Sequence, residues 1–380
     1  MERSKLKVIT FVGTRPEIIR LSRVMPLLDG HLNHIIAHTG QNYDYELNEI
    51  FFNGLGIRKP DYFLGVDTSS LGAVVGDIMK KSEGLLKKEQ PDAVLVLGDT
   101  NSCLSAYMAK RMKIPVFHLE AGNRCFDFNV PEEINRRIID HIADFNLVYT
   151  EHARRHLISE GLPQRRIYLI GSPMFEVLGH YKAMIRDSKI LDELSLKNKR
   201  YFLVSMHREE NVDNPRNLRK VINILNILMS QYQLPIIVST HPRTRKKLEG
   251  LNGAAIDPGI RFLKPFGFTD YIFLQMNALC TISDSGTISE ESAILSFPAI
   301  SLRNSMERPE AQDTGTIMLT GFDTDTVLDS IRLSIEEHKN GGYSHIPDEY
   351  KITNTSWRVL KLIMGLAKLS NKWGGVKTYQ

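Results

Sequence analysis

Short apolar runs rich in β-branched residues recur along the chain, and segments of helical length separate them. This alternation is typical of βα units, whose strands form a parallel sheet. The first series comprises KVITFV (7–12), HIIAHT (34–39), AVLVLG (93–98), PVFHLE (115–120), FNLVYT (145–150) and IYLIGS (167–172). The second series comprises YFLVSM (201–206), PIIVST (235–240), IRFLKP (260–265), ALCTIS (278–283), PAISL (298–302) and TIML (316–319). The pattern predicts an α/β fold with two doubly wound, Rossmann-like domains.

The length of the chain agrees with two domains, because 380 residues exceed what one hydrophobic core usually serves. We expect residues 1–172 to form the N-terminal domain, joined by a C-terminal helix at about 365–380. Residues 173–364 then form the second domain, and the stretch around 173–198 is the candidate linker.

The charge of the chain is nearly balanced, with 48 Lys and Arg against 44 Asp and Glu and a net charge of +4. This balance argues against nucleic acid as a partner. The three cysteines, Cys103, Cys125 and Cys280, lack C-x-x-C spacing and are typical of reduced cytosolic thiols. The first apolar run is too short for a signal peptide or a membrane span. We expect a soluble cytoplasmic protein without a membrane partner.

Polar clusters follow the predicted strands, where ligands bind in open α/β sheets. The N-terminal half has GTRPE, HTGQN, GDTNS and EAGNR in these places, and the second half has HREEN, THPR and SDSGT. If the two sheet edges face each other, the predicted active site is the cleft between the domains.

Three carboxylates of the N-terminal half are candidate acids or bases. Asp99 and Glu120 end strands, which makes a perturbed or ligand-facing carboxylate plausible, although Asp99 is equally suited to cap the next helix. Glu120 is the stronger candidate because Glu rarely caps helices. Glu132 follows Pro131, where an acidic residue also simply favours the helix dipole. We assign no role to Glu133, Arg136 or Arg137.

Two strand-to-helix turns are candidate anion sites. Arg15 lies at the start of the first helix and suits a diphosphate, but an ordinary capped turn with a solvated arginine fits equally. Ser285, Gly286 and Thr287 form the counterpart in the second half, and Glu291 is placed to bind ribose hydroxyls. A capping box is the structural alternative for this second turn.

Histidine and arginine occur together after two strands of the second half. His207 with Arg208, and His241 with nearby arginines, suit an anionic leaving group. Their spacing does not match a metal site, so we expect no metal. Arg308 is a further candidate, with a solvated surface arginine as the alternative.

Several motifs of other enzyme classes are missing from the sequence. No G-x-G-x-x-G follows a strand, and neither a Walker A motif nor a G-x-S-x-G elbow occurs. These absences argue against hydride transfer, kinase chemistry and serine hydrolysis, and we expect no cofactor.

The ordered motifs GTRPE, TGQ, GDT, EAG, PEEINRR, HREE, HPR, SDSGTISEE and ERPEA span nearly the whole chain. In this order they resemble the non-hydrolysing UDP-N-acetylglucosamine 2-epimerase family, whose two Rossmann-like domains have the arrangement of GT-B glycosyltransferases. The resemblance implies a UDP-sugar substrate and a homodimer. It places Asp99, Glu120, Glu132 and His207 on catalytic positions. The implied substrate or UDP-binding residues are Arg15, Arg20, His241, Ser285, Gly286, Thr287, Glu291 and Arg308.

The mechanism implied by this resemblance avoids an unstabilised carbanion at C2, which has no adjacent carbonyl. UDP leaves as the C2 proton is removed, and the resulting 2-acetamidoglycal takes UDP back as a proton reaches the opposite face. We expect Asp99 and Glu132 to transfer protons, Glu120 to orient or shuttle, and His207 with Arg15 to hold the diphosphate.

Two departures bear on the sugar. Arg20 replaces the lysine that the glucosamine epimerases usually carry, and residues 123–130, NRCFDFNV, differ from their usual pattern. Both features resemble the branch that converts UDP-2-acetamido-2,6-dideoxy-L-talose to UDP-N-acetyl-L-fucosamine for capsule or O-antigen. The alternatives are a UDP-N-acetylglucosamine/UDP-N-acetylmannosamine 2-epimerase, a hydrolysing relative, a GT-B glycosyltransferase and a non-catalytic UDP-sugar sensor.

Overall fold

The computed structural model describes residues 5–41, 52, 54–206, 214–240, 256–343 and 345–376. The chain divides into two compact units: Met1–Val177 together with Lys351–Gln380 form unit 1, and Leu178–Tyr350 form unit 2. Each unit contains one parallel sheet with helices between successive strands. The predicted α/β class with two doubly wound domains is therefore confirmed.

The sheet of unit 1 has the strand order β3-β2-β1-β4-β5-β6-β7, and all of its pairings are parallel. Its strands are β1 (Lys7–Val12), β2 (Asn33–His38), β3 (Tyr62–Phe63), β4 (Ala93–Leu97), β5 (Val116–Ala121), β6 (Phe145–Val148) and β7 (Ile167–Leu169). Its described helices are α1 (Arg15–Leu21), α2 (Val24–His31), α3 (Leu71–Glu89), α4 (Ser105–Arg111), α5 (Pro131–Ile142), α6 (Glu151–Ser159), α7 (Met174–His180), in which the boundary falls, and α15 (Thr355–Trp373).

The sheet of unit 2 repeats this winding in the order β10-β9-β8-β11-β12-β13. Its strands are β8 (Phe202–Met206), β9 (Ile236–Thr240), β10 (Ile260–Leu263), β11 (Cys280–Ser283), β12 (Ala299–Ser301) and β13 (Met318–Leu319). Its described helices are α8 (Lys182–Arg186), α9 (Ile190–Glu193), α10 (Pro215–Tyr232), α11 (Phe268–Asn277), α12 (Ile288–Leu295), α13 (Pro309–Asp313) and α14 (Thr324–Lys339).

Every apolar run of the two predicted series contains a strand, because strands covered by helices on both faces must be apolar throughout. Strand β4, AVLVL, is buried at every position. Strand β3, an edge strand of two residues paired with Ala37 and His38 of β2, is in neither predicted series. A pair of residues is too short to show a period in the sequence.

The boundaries between the two units lie at Val177/Leu178 and Tyr350/Lys351, and both differ from the predicted ones. Helices α7, α8 and α9 occupy the stretch that was predicted as a linker. The C-terminal helix begins at Thr355, ten residues before the predicted position of about 365, and belongs to unit 1 from its first turn. Thr355 Oγ1 donates to the carbonyl oxygen of Ile170 at 3.1 Å, and the apolar stripe of the helix is buried. This stripe starts well before residue 365, so the whole helix packs on unit 1.

Among the helices that the structure describes, none is both long enough and apolar enough to cross a membrane.

Candidate active site

Asp99 lies just beyond β4, and its side chain is bound by an arginine from α5. Arg136 is 4% exposed, and its Nε and Nη2 donate to Asp99 Oδ2 at 3.0 and 2.5 Å. Asn135 Nδ2 donates to the main-chain oxygen of Asp99 at 2.9 Å. No described residue donates a hydrogen bond to Asp99 Oδ1. The arginine therefore orients the carboxylate through one oxygen.

Glu132 lies in the first turn of α5, on the helix face that also carries Asn135 and Arg136 one turn later. It is half-buried, unlike the next residue, Glu133, which is fully buried. Helical spacing thus brings the predicted Glu132 to the side of α5 that binds Asp99.

Glu120 occupies a strained backbone position at the end of β5. Its φ is +63°, and the pairing register of β5 with β6 shifts between Leu119 and Ala121. Such bulges re-aim side chains, and left-handed non-glycine residues are concentrated at functional sites. Glu120 Oε2 lies 3.3 Å from Nη1 of the buried Arg20, and Oε1 accepts from Asn123 Nδ2 at 3.2 Å. Two predicted residues, Glu120 and Arg20, are therefore an ion pair.

Arg15 begins α1 directly after the turn that ends β1, and it is half-buried. Arg15, Asp99, Glu120 and Glu132 all lie on the carboxyl side of the unit 1 sheet, as parallel strands require.

Residues without a predicted role form a chain of ion pairs behind Asp99. Glu133 joins Arg136 to Arg137, with both distances 3.0 Å, and Arg137 lies 3.2 Å from Glu160. Burial alone would raise the pKa of Glu133, but a hydrogen bond from Cys125 and the charge of Arg136 lower it. No role was assigned to Glu133, Arg136 or Arg137 from the sequence, and the structure places Glu133 and Arg136 in the interior.

The chain of ion pairs continues through Glu160 to the strand that carries Glu120. Arg124 donates to Glu160 and to Asp140, both at 2.6 Å, and hydrogen bonds from Arg124 lower the pKa of Glu160 to about 2. Asp140 Oδ1 lies 2.9 Å from Nδ1 of His118 on β5. His118 Nε2 donates to the carbonyl oxygen of Gly98, next to Asp99, at 2.8 Å. The network therefore supports Asp99 from both sides.

In unit 2, the turn between β11 and α12 contains Ser285, Gly286 and Thr287, all half-buried. Ser285 Oγ accepts from the Thr287 main-chain nitrogen at 3.3 Å and lies 3.0 Å from Thr287 Oγ1. Thr287 is the N-cap of α12 and makes no side-chain capping bond, and the main-chain nitrogen of Thr287 is bound by Ser285 Oγ in the preceding turn.

The other two described candidates of unit 2, Glu291 and Arg308, are both buried. Gln275 Nε2 donates to Glu291 Oε2 at 2.7 Å. Arg308 is 4% exposed and donates from Nε to Oε2 of the fully buried Glu290 at 2.9 Å. The alternative of a solvated surface arginine at position 308 is therefore wrong.

The predicted His207 and His241 lie outside the described residues. Within the described ranges, no three histidine, cysteine, aspartate or glutamate side chains are grouped as ligands for a metal ion.

Comparison with known proteins identifies similar sequences and structures. Residues 28–364 match the family model of UDP-N-acetylglucosamine 2-epimerase. The structure of a UDP-N-acetylglucosamine 2-epimerase from Rickettsia bellii is similar with a TM-score of 0.92 and 49% identity, covering 98% of this chain and 100% of that chain. The Methanocaldococcus jannaschii UDP-GlcNAc 2-epimerase in complex with UDP-GlcNAc and UDP gives a TM-score of 0.86 at 31% identity, covering 95% and 100%.

A relative named for a different sugar also matches most of the chain. The UDP-2,3-diacetamido-2,3-dideoxy-D-glucuronate 2-epimerase of Pseudomonas aeruginosa is 32% identical over 87% of this chain and 92% of its own length. Proteins of this similarity therefore share C2 epimerisation in their names and differ in the sugar.

Proposed function

Because the chain belongs to the UDP-N-acetylglucosamine 2-epimerase family, we propose that it inverts C2 of a UDP-2-acetamido-2-deoxy sugar by eliminating and re-adding UDP. The observation that supports this most is the pair of carboxylates, Asp99 and Glu120, that buried arginines hold at one sheet edge. Proton transfer at C2 requires carboxylates of fixed position, and departure of UDP requires cations nearby.

Each residue receives a role in this proposal. Asp99, with one oxygen bound by Arg136, and Glu132 on the neighbouring helix face transfer protons to and from C2. Glu120 orients the sugar or shuttles a proton, and its strained position with Arg20 keeps it in place. Arg15 and His207 hold the diphosphate.

The remaining proposed UDP-binding residues, His241 among them, belong to unit 2. The turn with Ser285, Gly286 and Thr287 offers main-chain N–H groups and hydroxyls to the diphosphate. Glu291 binds the ribose hydroxyls, while Arg308 adds positive charge that the buried Glu290 orients. The reaction so written needs neither a nicotinamide nor a metal.

We propose UDP-2-acetamido-2,6-dideoxy-L-talose as the substrate and UDP-N-acetyl-L-fucosamine as the product, used for capsule, O-antigen or lipopolysaccharide. The support is Arg20 and the segment 123–130, in which Phe126 and Phe128 are 65% and 67% exposed. Such apolar surface suits the methyl group of a 6-deoxy sugar better than a hydroxymethyl group. The second candidate is UDP-N-acetylglucosamine, favoured by the 49% identity to the Rickettsia bellii protein of that name.

The decisive experiment is incubation with each nucleotide sugar in heavy water. We expect deuterium at C2 of the recovered, inverted sugar with only trace release of UDP, and a higher kcat/KM for the 6-deoxy sugar. The D99N variant should lose the exchange and still bind UDP, because Asp99 contacts the sugar rather than the nucleotide.

Other outcomes identify the alternatives. Stoichiometric release of free sugar indicates a hydrolysing enzyme, transfer to an added acceptor indicates a glycosyltransferase, and binding without turnover indicates a sensor. Recovery of unlabelled sugar contradicts the epimerase proposal.

We further propose a homodimer in the cytoplasm. The three cysteines form no disulfide, and Cys103 and Cys280 are buried thiols, which suits a reducing compartment. Light scattering on the purified protein measures the oligomeric state directly.

A further inference from the structure

Glu17 is a buried carboxylate in α1 that the proposed mechanism does not use. It is 1% exposed and is the third residue of the helix. Its Oε2 accepts from the main-chain nitrogens of Gly13 and Thr14 at 3.0 and 2.7 Å and from Thr14 Oγ1 at 2.7 Å. Its Oε1 accepts a short hydrogen bond from Ser102 Oγ. One carboxylate thus ties the turn after β1 to the turn after β4.

The contact with Ser102 extends into a chain of hydrogen bonds. Ser102 lies in the short 3-10 helix Asn101–Leu104, directly after Asp99 and Thr100. Its Oγ lies 2.7 Å from Thr100 Oγ1, which accepts from Gln41 Nε2 at 3.3 Å. The residues that end β1, β2 and β4 are therefore linked through side chains at the point where the winding of the sheet reverses.

These three strand ends approach each other closely at Gly13. A Cβ at Gly13 would lie 2.4 Å from Thr39 Oγ1, 2.8 Å from Gln41 Nε2 and 2.9 Å from Ser102 Cβ. Packing this tight leaves little room for the turns to shift without breaking the hydrogen bonds.

Which groups donate and which accept along this hydrogen-bond chain depends on whether Glu17 is ionised or protonated. Because an ionised carboxylate only accepts, Ser102 Oγ uses its one proton on Glu17 Oε1, and Thr100 Oγ1, which accepts from Gln41 Nε2, must then donate to Ser102 Oγ. All donors then point toward an ionised carboxylate.

A proton on Glu17 must reside on Oε1, because two N–H groups occupy Oε2. Ser102 Oγ would then accept, Thr100 would need a new acceptor, and Gln41 Oε1 is buried without a hydrogen bond from any described residue. Turning the Gln41 amide supplies that acceptor. The two protonation states thus give two opposite directions of the same chain.

We propose that Glu17 is a positioning residue for Asp99. Its ionised form holds Asp99 at the distance from the turn after β1 that the reaction requires. Protonation of Glu17 reverses donors and acceptors along the hydrogen-bond chain and changes that distance. This inference rests on the proposed epimerisation.

The surroundings of Glu17 place its titration in an accessible range. Burial raises the pKa of Glu17 to about 7, although hydrogen bonds from Ser102, Thr14 and Gly13 oppose the rise. On the β4 side it faces the buried Cys103 thiol, whose pKa is raised by burial and by the charges of Asp99, Glu17 and Asp140. On its own helix Arg20 pairs with Glu120, and from β2 the nearby side chains Thr39 and Gln41 are uncharged.

The test measures the pH dependence of deuterium exchange at C2 in the wild type, E17Q, S102A and S105A. The wild-type kcat should fall as the pH decreases through about 7. The amide introduced in E17Q donates to Ser102 Oγ as protonated Glu17 would, so this variant should be reduced about tenfold or more at pH 8 and lack the decrease. S102A removes the hydroxyl through which Glu17 contacts the turn after β4, so this variant should also lack the decrease.

S105A is the matched control, because Ser105 Oγ donates to the main-chain oxygen of Ser102 at 2.8 Å and to no other residue that the structure describes. Its pH profile should match the wild type. A decrease near pH 7 that persists in E17Q or in S102A overturns the proposal.

A second measurement does not depend on activity. Infrared difference spectra of the substrate-free wild type should show a protonated carboxyl band that grows as the pH falls through about 7 and that E17Q lacks. Identical spectra would overturn the proposal. Absence of epimerisation in the wild type would contradict the proposed function instead, whatever the spectra show.

Discussion

Arg136 offers two nitrogens of one planar group to a single oxygen of Asp99, so the position of that carboxylate depends on the shape of the guanidinium. Glu133 orients Arg136 in turn from 3.0 Å, and both are buried. Arg136, to which the sequence assigned no role, therefore determines the orientation of Asp99, which the sequence identified as a candidate. The carboxylate of Glu120 is likewise placed by Arg20.

Replacing Arg136 by lysine should slow the reaction without weakening UDP binding. Lysine keeps the charge but supplies one compact donor, so Asp99 loses its fixed orientation. We expect kcat for deuterium exchange at C2 to fall about 10- to 100-fold, with the affinity for UDP measured by calorimetry within about twofold. R154K alters a half-buried pair with Glu151 on α6 and serves as the control. Equal kcat values in both variants would contradict this role.

The end of β5 shows how one element creates a site. Glu120 has φ +63° and Gly122 has φ +81°, so the chain leaves the sheet through two left-handed residues in close succession. Gly122 donates to the buried Asp140, and its oxygen accepts from His156 of α6 at 2.9 Å. The bulge, the strand end and the helix therefore form one rigid corner beneath Glu120.

A methyl group at Gly122 should disrupt this corner. Its Cβ would lie 2.4 Å from the main-chain oxygen of Ala153, which is backbone and cannot turn away. Gly161 has a similar φ of +89° with no atom within 4 Å, so G161A measures the backbone strain alone. We expect G161A to lower the melting temperature by about 2–4 °C and G122A by at least twice as much. Scanning calorimetry that finds equal shifts would exclude the clash.

At the scale of the whole molecule, the chain leaves unit 1 within α7 and returns to it at Lys351. Helix α15 then packs on α2 of unit 1 and buries Val359, Leu360 and Ile363. The stability of unit 1 therefore depends on residues that are synthesised after unit 2.

A cavity in α15 should loosen unit 1 and leave unit 2 unchanged. Ile363 is 0% exposed and its neighbour Met364 is 50% exposed, so the two positions form a matched pair on one helix. We expect I363A to cost about 2–5 kcal/mol and M364A less than about 0.5 kcal/mol. Hydrogen exchange followed by mass spectrometry should show faster exchange in α2 of I363A and unchanged exchange in α10. Faster exchange in both units would contradict this division.

The sequence by itself determined the described strands except β3, the fold class and the positions of the polar clusters, because apolar periodicity and turn residues are local signals. It also placed Asp99, Glu120 and Ser285 at strand ends, where parallel sheets bind ligands. Helix α15 begins earlier than predicted because its first turns contact the end of β7 rather than solvent.

Only the tertiary structure decided which charges meet. The bond from Arg136 to Asp99 spans 37 residues, and the bond from Ser102 to Glu17 spans 85. Both depend on strand order, which brings β1 beside β4 and β4 beside β5. A local pattern contains no information on such neighbours, so neither Arg136 nor Glu17 could be assigned a role before the strand order was known.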